Sequence, residues 1–137
     1  MKKSLKVKRI IQKNYSLVHN FIIFGSPARK SNSRIFTGNT FILGKSAQRY
    51  TNIFNKQIKH IKEYASIYPI TNGDCLWYFE LYYNDKRADT SIELIFDLME
   101  KNGIVKNDVL IRNYIVSSCI DRVVPRAEIF IYKPKGA

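Results

Sequence analysis

Three carboxylates recur at helical spacing in one short segment of this sequence. Asp89, Glu93 and Asp97 follow one another at intervals of four residues, and Asn107 and Asp108 stand a little further along the chain. Residues four apart lie on the same side of a helix, and carboxylate oxygens are the ligands that hard divalent cations prefer. The segment therefore indicates a candidate site for Mg²⁺, with Mn²⁺ as an alternative ion.

Each carboxylate also has a purely structural explanation. Thr90 and Glu93 have the spacing of a capping box, and Asp89 would be stabilised by the positive end of a helix dipole. Asp97 and Glu100 could simply be solvated. The metal interpretation is favoured because no Lys or Arg occurs between Arg87 and Lys101, so these acids form one acidic cluster, called the acidic island, in a chain of formal charge +12. A bound cation would take phosphate oxygens as further ligands and could polarise a phosphoryl group.

The basic residues are concentrated in the first 62 residues of the chain. This part holds 14 of the 23 Lys and Arg residues and none of the 11 Asp and Glu residues, so its formal charge is +14 and that of the remainder is −2. An AT-rich genome would raise the lysine count, but it does not explain the missing acids. The asymmetry indicates a surface that faces a polyanion, and nucleic acid is favoured over a membrane surface. A metal-dependent nuclease combines both features.

Composition limits the other classes of protein. A chain of 137 residues with 45% hydrophobic residues fits one packed domain. No apolar stretch reaches the length of a membrane span or a signal-peptide core, so we expect a cytoplasmic protein with no membrane partner and no small-molecule cofactor. Cys75 and Cys119 lack the spacing of a zinc site or a disulfide framework and are expected to be buried. His19 and His60 have no evident Ser or Cys partner and are expected to be surface or packing residues.

Hydrophobic patterning predicts an α+β fold in which a small mixed β-sheet packs against two main helices. Residues 1–16 are predicted to be a basic N-terminal arm or tail, either disordered or ordered on DNA, and residues 17–137 a single domain. The predicted strands are 17–24, 75–83, 110–116 and 127–132, with a hairpin at 35–43 that turns at 37–39. The predicted helices are 46–64 and 91–102, and the second carries the acidic island.

These motifs resemble the RusA family of four-way (Holliday) junction resolvases over residues 17–133. The pattern D-x(7)-D-x(5)-G-[IV]-x(2)-[ND]-D-x(2)-[IV] is matched by Asp89, Asp97, Gly103, Ile104, Asn107, Asp108 and Ile111. The segments that resemble flanking signatures of the family are Gly25-x-Pro27 with Ser31-Asn32-x-Arg34, and Pro125-Arg126-Ala127-Glu128-Ile129. The resemblance implies a small α+β fold, a homodimer and Mg²⁺-dependent nicking of branched DNA at two symmetric positions.

The residues and the resemblance together define a candidate site. Asp89, Glu93 and Asp108 are the expected catalytic metal ligands, and Asp97 is a weaker candidate ligand. The expected DNA contacts are Arg29, Lys30, Asn32, Arg34, Lys45, Arg49, Lys86 and Arg87. The best-known members of the family carry Asp-x-Asp-Asn before the helix and a lysine in its first turn. When this chain is aligned to that pattern without gaps, Arg87 takes the position of the first aspartate and Glu93 the position of the lysine. An alignment with a two-residue deletion would instead place Asp89 at the position of the first aspartate.

Two other functions remain open. A non-catalytic junction- or duplex-binding protein could have kept the fold and lost the metal site, as Arg87 and Glu93 suggest. It would bind DNA with a strong dependence on salt and form no product. A lipid-surface protein that uses the basic N-terminal segment would have to bind vesicles as well as it binds DNA.

Overall fold

The computed structural model describes residues 2–27, 34–37, 40–43, 45–67, 69–84 and 92–136, without the side chains of residues 2, 34–37 and 40–43. The helices are α1 (Lys2–Ile11), α2 (Lys45–Ala65) and α3 (Ile92–Lys101). The strands are β1 (Tyr15–Phe24), β2 (Arg34–Thr37), β3 (Thr40–Leu43), β4 (Leu76–Tyr83), β5 (Asn113–Ile120) and β6 (Arg126–Pro134). The predicted α+β class is confirmed.

Four of the strands form one mixed sheet in the order β1-β6-β4-β5. β6 runs antiparallel to both β1 and β4, and β4 runs parallel to β5. α3 lies in the connection between the parallel strands, where a crossover helix is usual. Because β1, β4 and β5 share one direction, their carboxyl ends lie at the same edge of the sheet, called the carboxyl edge below. β2 and β3 form a separate antiparallel pair.

β4 is buried on both faces of the sheet. Its odd-numbered residues from Trp77 to Tyr83 pack in the main core with residues of α2 and α3, while Tyr78 packs on the opposite face with Ile11 of α1. Successive side chains of a strand point to opposite faces, so a strand that is aromatic and apolar throughout must be covered twice. The domain therefore has three layers, with α1 on one side of the sheet and α2 and α3 on the other.

Residues 2–11 form a helix, where the sequence pattern predicted a basic arm or tail. Ile11 is only 4% exposed and packs in a small second core with Tyr78, Phe130 and Tyr132. Val7 lies against the same cluster. Few apolar residues of α1 face inward, and the many cations around them suggested a solvated arm. The structure nevertheless makes α1 part of the packed domain.

The largest shifts of strand boundaries concern β5, which was predicted at 110–116 and is observed at Asn113–Ile120, so that it begins three residues later and ends four residues later. Before it, Asp108–Leu110 form one turn of 3-10 helix. The side-chain oxygen of Asn107 accepts the backbone N–H of Val109 at 3.0 Å, and this local bond competes with strand pairing. The predicted hairpin appears as the pair β2 and β3, and residues 38 and 39 of its turn lie outside the described residues.

The cysteines and histidines occupy ordinary structural positions. Both cysteines are free thiols, Cys75 buried as predicted and Cys119 partly exposed. His19 is buried in β1, where burial lowers the pKa of its imidazole, and His60 is exposed on α2. None of the helices in the described ranges has both the length and the apolar character needed to cross a membrane.

Candidate metal and DNA site

Two of the four candidate metal ligands lie on α3. Glu93 is exposed in its first turn, where the positive end of the helix dipole stabilises a negative charge. Asp97 forms an ion pair with Lys101 at 3.0 Å, one turn later on the same helix. Asp89 lies outside the described residues. Because Asp97 already has a local cation, it is a poorer candidate ligand than Glu93.

Asp108 begins the 3-10 helix that follows α3. Its backbone N–H donates a hydrogen bond to a carboxylate oxygen of Glu100 at 2.8 Å. Glu100, for which simple solvation was one of the two interpretations, thus anchors the loop that carries Asp108. The side chain of Asp108 is partly exposed and takes no part in this bond. Its carboxylate has no ion-pair partner among the described residues, and within these ranges it can bind an ion or a solvent molecule.

Glu93 and Asp108 lie at opposite ends of α3. Glu93 precedes Glu100 by seven residues, which corresponds to about 10 Å along a helix axis, and Asp108 is hydrogen-bonded to Glu100. Mg²⁺ binds its ligands octahedrally at about 2.1 Å, so two carboxylates on one ion have oxygens about 3 to 4 Å apart. The separation along α3 therefore disfavours a single ion that is bound by both residues of one chain. Across the described part of the chain, no three His, Cys, Asp or Glu side chains are grouped to hold a metal ion.

A cleft of about 340 Å³ opens at the carboxyl edge of the sheet. It lies between the chain after β1, the start of α2 and the chain after β4. The described residues that line it are Ser26, Pro27, Ser46, Arg49, Tyr50, Ile53 and Asn84. Arg49 is exposed here, and Lys45 is exposed one turn earlier on α2. These are the two predicted DNA-contacting residues whose side chains the structure describes.

The cleft is bordered by the starts of the two segments that contain the rest of the predicted site. Pro27 leads into the basic segment with Arg29, Lys30, Asn32 and Arg34, and Asn84 leads into the segment with Lys86, Arg87 and Asp89. All seven side chains lie outside the described residues. The sequence shows no relation between these segments, which stand more than 50 residues apart. The fold brings their starting points to one cleft.

The two flanking segments of the RusA resemblance are neighbours at the carboxyl edge. Phe24 pairs with Arg126, and the N–H of Gly25 donates to the carbonyl of Pro125 at 2.9 Å. Gly25 has a φ of +119°, a backbone conformation that residues other than glycine rarely adopt. The glycine therefore allows the chain to turn from β1 into the cleft while it stays bonded to the segment that opens β6.

Arg126 has a structural role, in which its positive charge is paired with two carboxylates of the same chain. Its guanidinium donates to Asp121 at 2.9 Å and to Glu128 at 2.8 Å, and it stacks over the ring of Tyr82 at 3.8 Å. Together with the N–H of Val124, it holds the pKa of Asp121 below the usual value. Arg126 is thus neutralised within the chain, whereas Arg49 and Lys45 have no carboxylate partner among the described residues.

Sequence reasoning missed Glu80, a glutamate within the aromatic strand β4. Glu80 is only 2% exposed and lies on the face of the sheet that α1 covers. Its carboxylate accepts hydrogen bonds from the hydroxyls of Ser4 and Tyr82, the latter at 3.1 Å. The ammonium of Lys8 lies 3.9 Å from Glu80 and 4.1 Å from the centre of the Phe130 ring. The signal in the sequence was a lone glutamate in an aromatic run, which needs a polar partner once it is buried.

No protein-family model matches this chain, and no curated protein matches it.

Proposed function

We propose that this protein is a Mg²⁺-dependent, structure-selective DNA endonuclease of the RusA type that works as a cytoplasmic homodimer. It would resolve four-way junctions by paired symmetric nicks, and Mn²⁺ would be able to replace Mg²⁺. The observation that carries the proposal is the cleft at the carboxyl edge, where the basic segment and the acidic segment both begin. A DNA phosphate held by the first segment would lie next to the carboxylates of the second.

In this proposal Asp89 and Glu93 hold the ion at the start of α3. Mg²⁺ is commonly bound by one or two carboxylates, keeps several waters and takes phosphate oxygens as its other ligands. A bound ion would polarise the scissile phosphoryl group and lower the pKa of an attacking water. Arg49 and Lys45 would hold neighbouring phosphates, since both are exposed and have no carboxylate partner in the described ranges.

The position of Asp108 favours a site that is shared between two chains. Within one chain Asp108 lies beside the last turn of α3, while Glu93 is in the first turn. In a two-fold dimer, the start of one α3 can face the end of the other, so that Asp108 of the partner subunit completes each of two equivalent sites. Two sites related by a two-fold axis suit a reaction that requires two matched cuts.

The proposal is tested with a labelled four-way junction and a linear duplex of matched sequence, each incubated with Mg²⁺, Mn²⁺ or EDTA. Native and denaturing gels report binding and strand cleavage separately. We expect paired symmetric nicks in the junction only, and only when metal is present. Equal cleavage of the linear duplex, or cleavage in EDTA, would contradict the proposal.

A second candidate function is that of a branched-DNA-binding protein with a degenerate metal site. Arg87 and Glu93 favour it, because they replace an aspartate and a lysine of the best-known family members. This candidate predicts junction binding that weakens steeply with salt, together with no product in either Mg²⁺ or Mn²⁺. Such a result would exclude the nuclease and retain the DNA-binding protein.

A further inference from the structure

The outward face of α1 carries a stripe of cations. Lys3, Lys6, Arg9 and Lys13 are all exposed. The first three recur at three-residue intervals along α1 and project away from Ile11, and Lys13 lies in the turn that follows the helix. These four residues are called the α1 stripe below. The first 62 residues contain no acid, and among the described residues none of the four cations pairs with a carboxylate.

The contacts on the inner side of α1 hold the stripe in place. Ser4 donates a hydrogen bond to Glu80, and Lys8 lies against both Glu80 and the ring of Phe130. Ile11 is buried one turn further along. Because the helix is already packed, its outward cations lose little backbone freedom when they bind a ligand.

We propose that the α1 stripe binds the phosphate backbone of a duplex DNA segment different from the one at the cleft. α1 covers one face of the sheet, whereas α2 and α3 cover the other. The stripe therefore faces away from the side that carries Glu93 and Arg49. The inference rests on the proposed function in taking branched DNA as the polyanion, and it adds a contact surface for a second arm.

The dimensions of the stripe fit a DNA backbone. Residues 3–11 span about 12 Å of helix, Lys13 lies two residues beyond the helix end, and one strand of a duplex carries a phosphate about every 3.4 Å along its axis. The four cations thus extend over about three to four phosphates. Another exposed cation, Lys135, lies near the end of the stripe, since its backbone N–H donates to the carbonyl of Asn14 at 2.9 Å, next to Lys13.

The stripe is less suited to an anionic membrane surface. A helix that lies in a membrane interface inserts its apolar face among the lipids, and the apolar face of α1 is already packed against Tyr78 and Phe130. The exposed apolar residues Leu5 and Ile10 are 56% and 63% exposed. They are five positions apart, which separates them by about 140° around the helix, and Ile10 projects between Lys3 and Lys6, so they do not form one insertable surface.

The test compares two double variants that remove equal charge from exposed helical positions. Lys6→Ala with Arg9→Ala changes the stripe, and Lys56→Ala with Lys59→Ala is the matched control on α2. Circular dichroism verifies that both variants fold. Binding of a labelled four-way junction is measured in EDTA between about 50 and 200 mM salt, a range in which phosphate contacts strongly affect affinity.

We expect the stripe variant to bind the junction about tenfold more weakly and to reduce the slope of log affinity against log salt by about 2, since each phosphate contact contributes about 0.9. The control variant should change the affinity less than about threefold. Equal losses in both variants would overturn the inference, as would tighter binding of the wild-type protein to vesicles of anionic lipid than to DNA. These binding measurements need no metal. If the protein binds DNA through the stripe but never cleaves it, the proposed nuclease activity is refuted and the proposed role of the stripe is not.

Discussion

The backbone N–H of Asp108 donates to a carboxylate oxygen of Glu100 at 2.8 Å. This bond places Asp108 beside the last turn of α3, whereas Glu93 occupies the first turn. The acidic residues that look like one cluster in the sequence are thus divided between the two ends of a helix. This separation disfavours a metal ion that takes direct ligands from both ends within one chain.

Replacement of Asp108 by Asn should abolish cleavage and leave DNA binding intact. Loss of residues that merely support a metal ligand typically costs 10–100-fold, so loss of a direct ligand should lower the single-turnover cleavage rate at least about 100-fold. Junction affinity should stay equal or rise, because a repelling charge is removed. The fold should persist, since Glu100 binds the backbone of Asp108 and not its side chain. Equal loss of binding and cleavage in the folded variant would contradict the assignment.

Glu100→Ala is the matched control for Asp108→Asn. It removes the anchor of the same loop but none of the proposed ligands. We expect the free energy of unfolding to fall by about 1–2 kcal/mol, because a hydrogen bond to a charged group is lost at a partly exposed site. Urea denaturation measures this loss, and the folded fraction should still cleave the junction within about tenfold of the wild-type rate.

A mixture of two inactive variants should recover activity if the site is shared between chains. Glu93→Gln and Asp108→Asn should each be inactive as homodimers. A heterodimer of the two would contain one site with both substitutions and one site with neither. After unfolding and joint refolding in equal amounts, about a quarter of the sites should be intact, and they should produce single nicks instead of paired ones. A mixture that stays as inactive as its components would refute the shared site.

The burial of Ile11 predicts that α1 stabilises the domain. Ile11→Ala should lower the free energy of unfolding by about 2–4 kcal/mol, because it leaves a cavity between α1 and the sheet. Its neighbour Ile10 is 63% exposed and provides the control. Ile10→Ala should change the free energy by less than about 0.5 kcal/mol in the same urea titration. Similar values for the two variants would mean that α1 is not packed as described.

Asp121 should make part of the stability dependent on acid pH. Its hydrogen bonds from Val124 and Arg126 hold its pKa below the usual value of 3.8. A carboxyl group with a lowered pKa in the folded state stabilises the protein above the unfolded pKa, and this contribution disappears as the pH falls through the folded pKa. Between about pH 5 and pH 3, Asp121→Asn should therefore lose less stability than the wild type. Urea denaturation at both pH values measures the difference, and identical losses would contradict the prediction.

Tyr50→Phe should not destabilise the protein. Tyr50 is 2% exposed, and its hydroxyl has no hydrogen-bond partner within the described ranges. Burial raises the pKa of this phenol above its usual value, so the group is neutral. Removal of a buried, unpaired hydroxyl should leave the free energy of unfolding unchanged or raise it by up to about 1 kcal/mol. A measured loss above about 1 kcal/mol would show that the hydroxyl is bonded to a residue outside those ranges.

Local patterns in the sequence were enough to locate most elements of the fold. α2 was predicted at 46–64 and is observed at Lys45–Ala65, and β4 was predicted at 75–83 and is observed at Leu76–Tyr83. α3 was predicted at 91–102 and is observed at Ile92–Lys101. Helical periodicity and an aromatic run are properties of adjacent residues, so they can be recognised without any knowledge of tertiary contacts. The carboxylates of the candidate site were recognisable for the same reason.

Contacts between distant parts of the chain decided the rest. α1 is held by Glu80, which stands 76 residues after Ser4, and no local pattern reveals such a partner. In the same way, the sequence placed Asp108 near α3 but did not indicate which end of the helix it would reach. The bond to Glu100 and the parallel pairing of β5 with β4 settled this position. Residue types and spacings thus identified the candidate chemistry, while the packing of helices on a sheet determined which of these residues can meet.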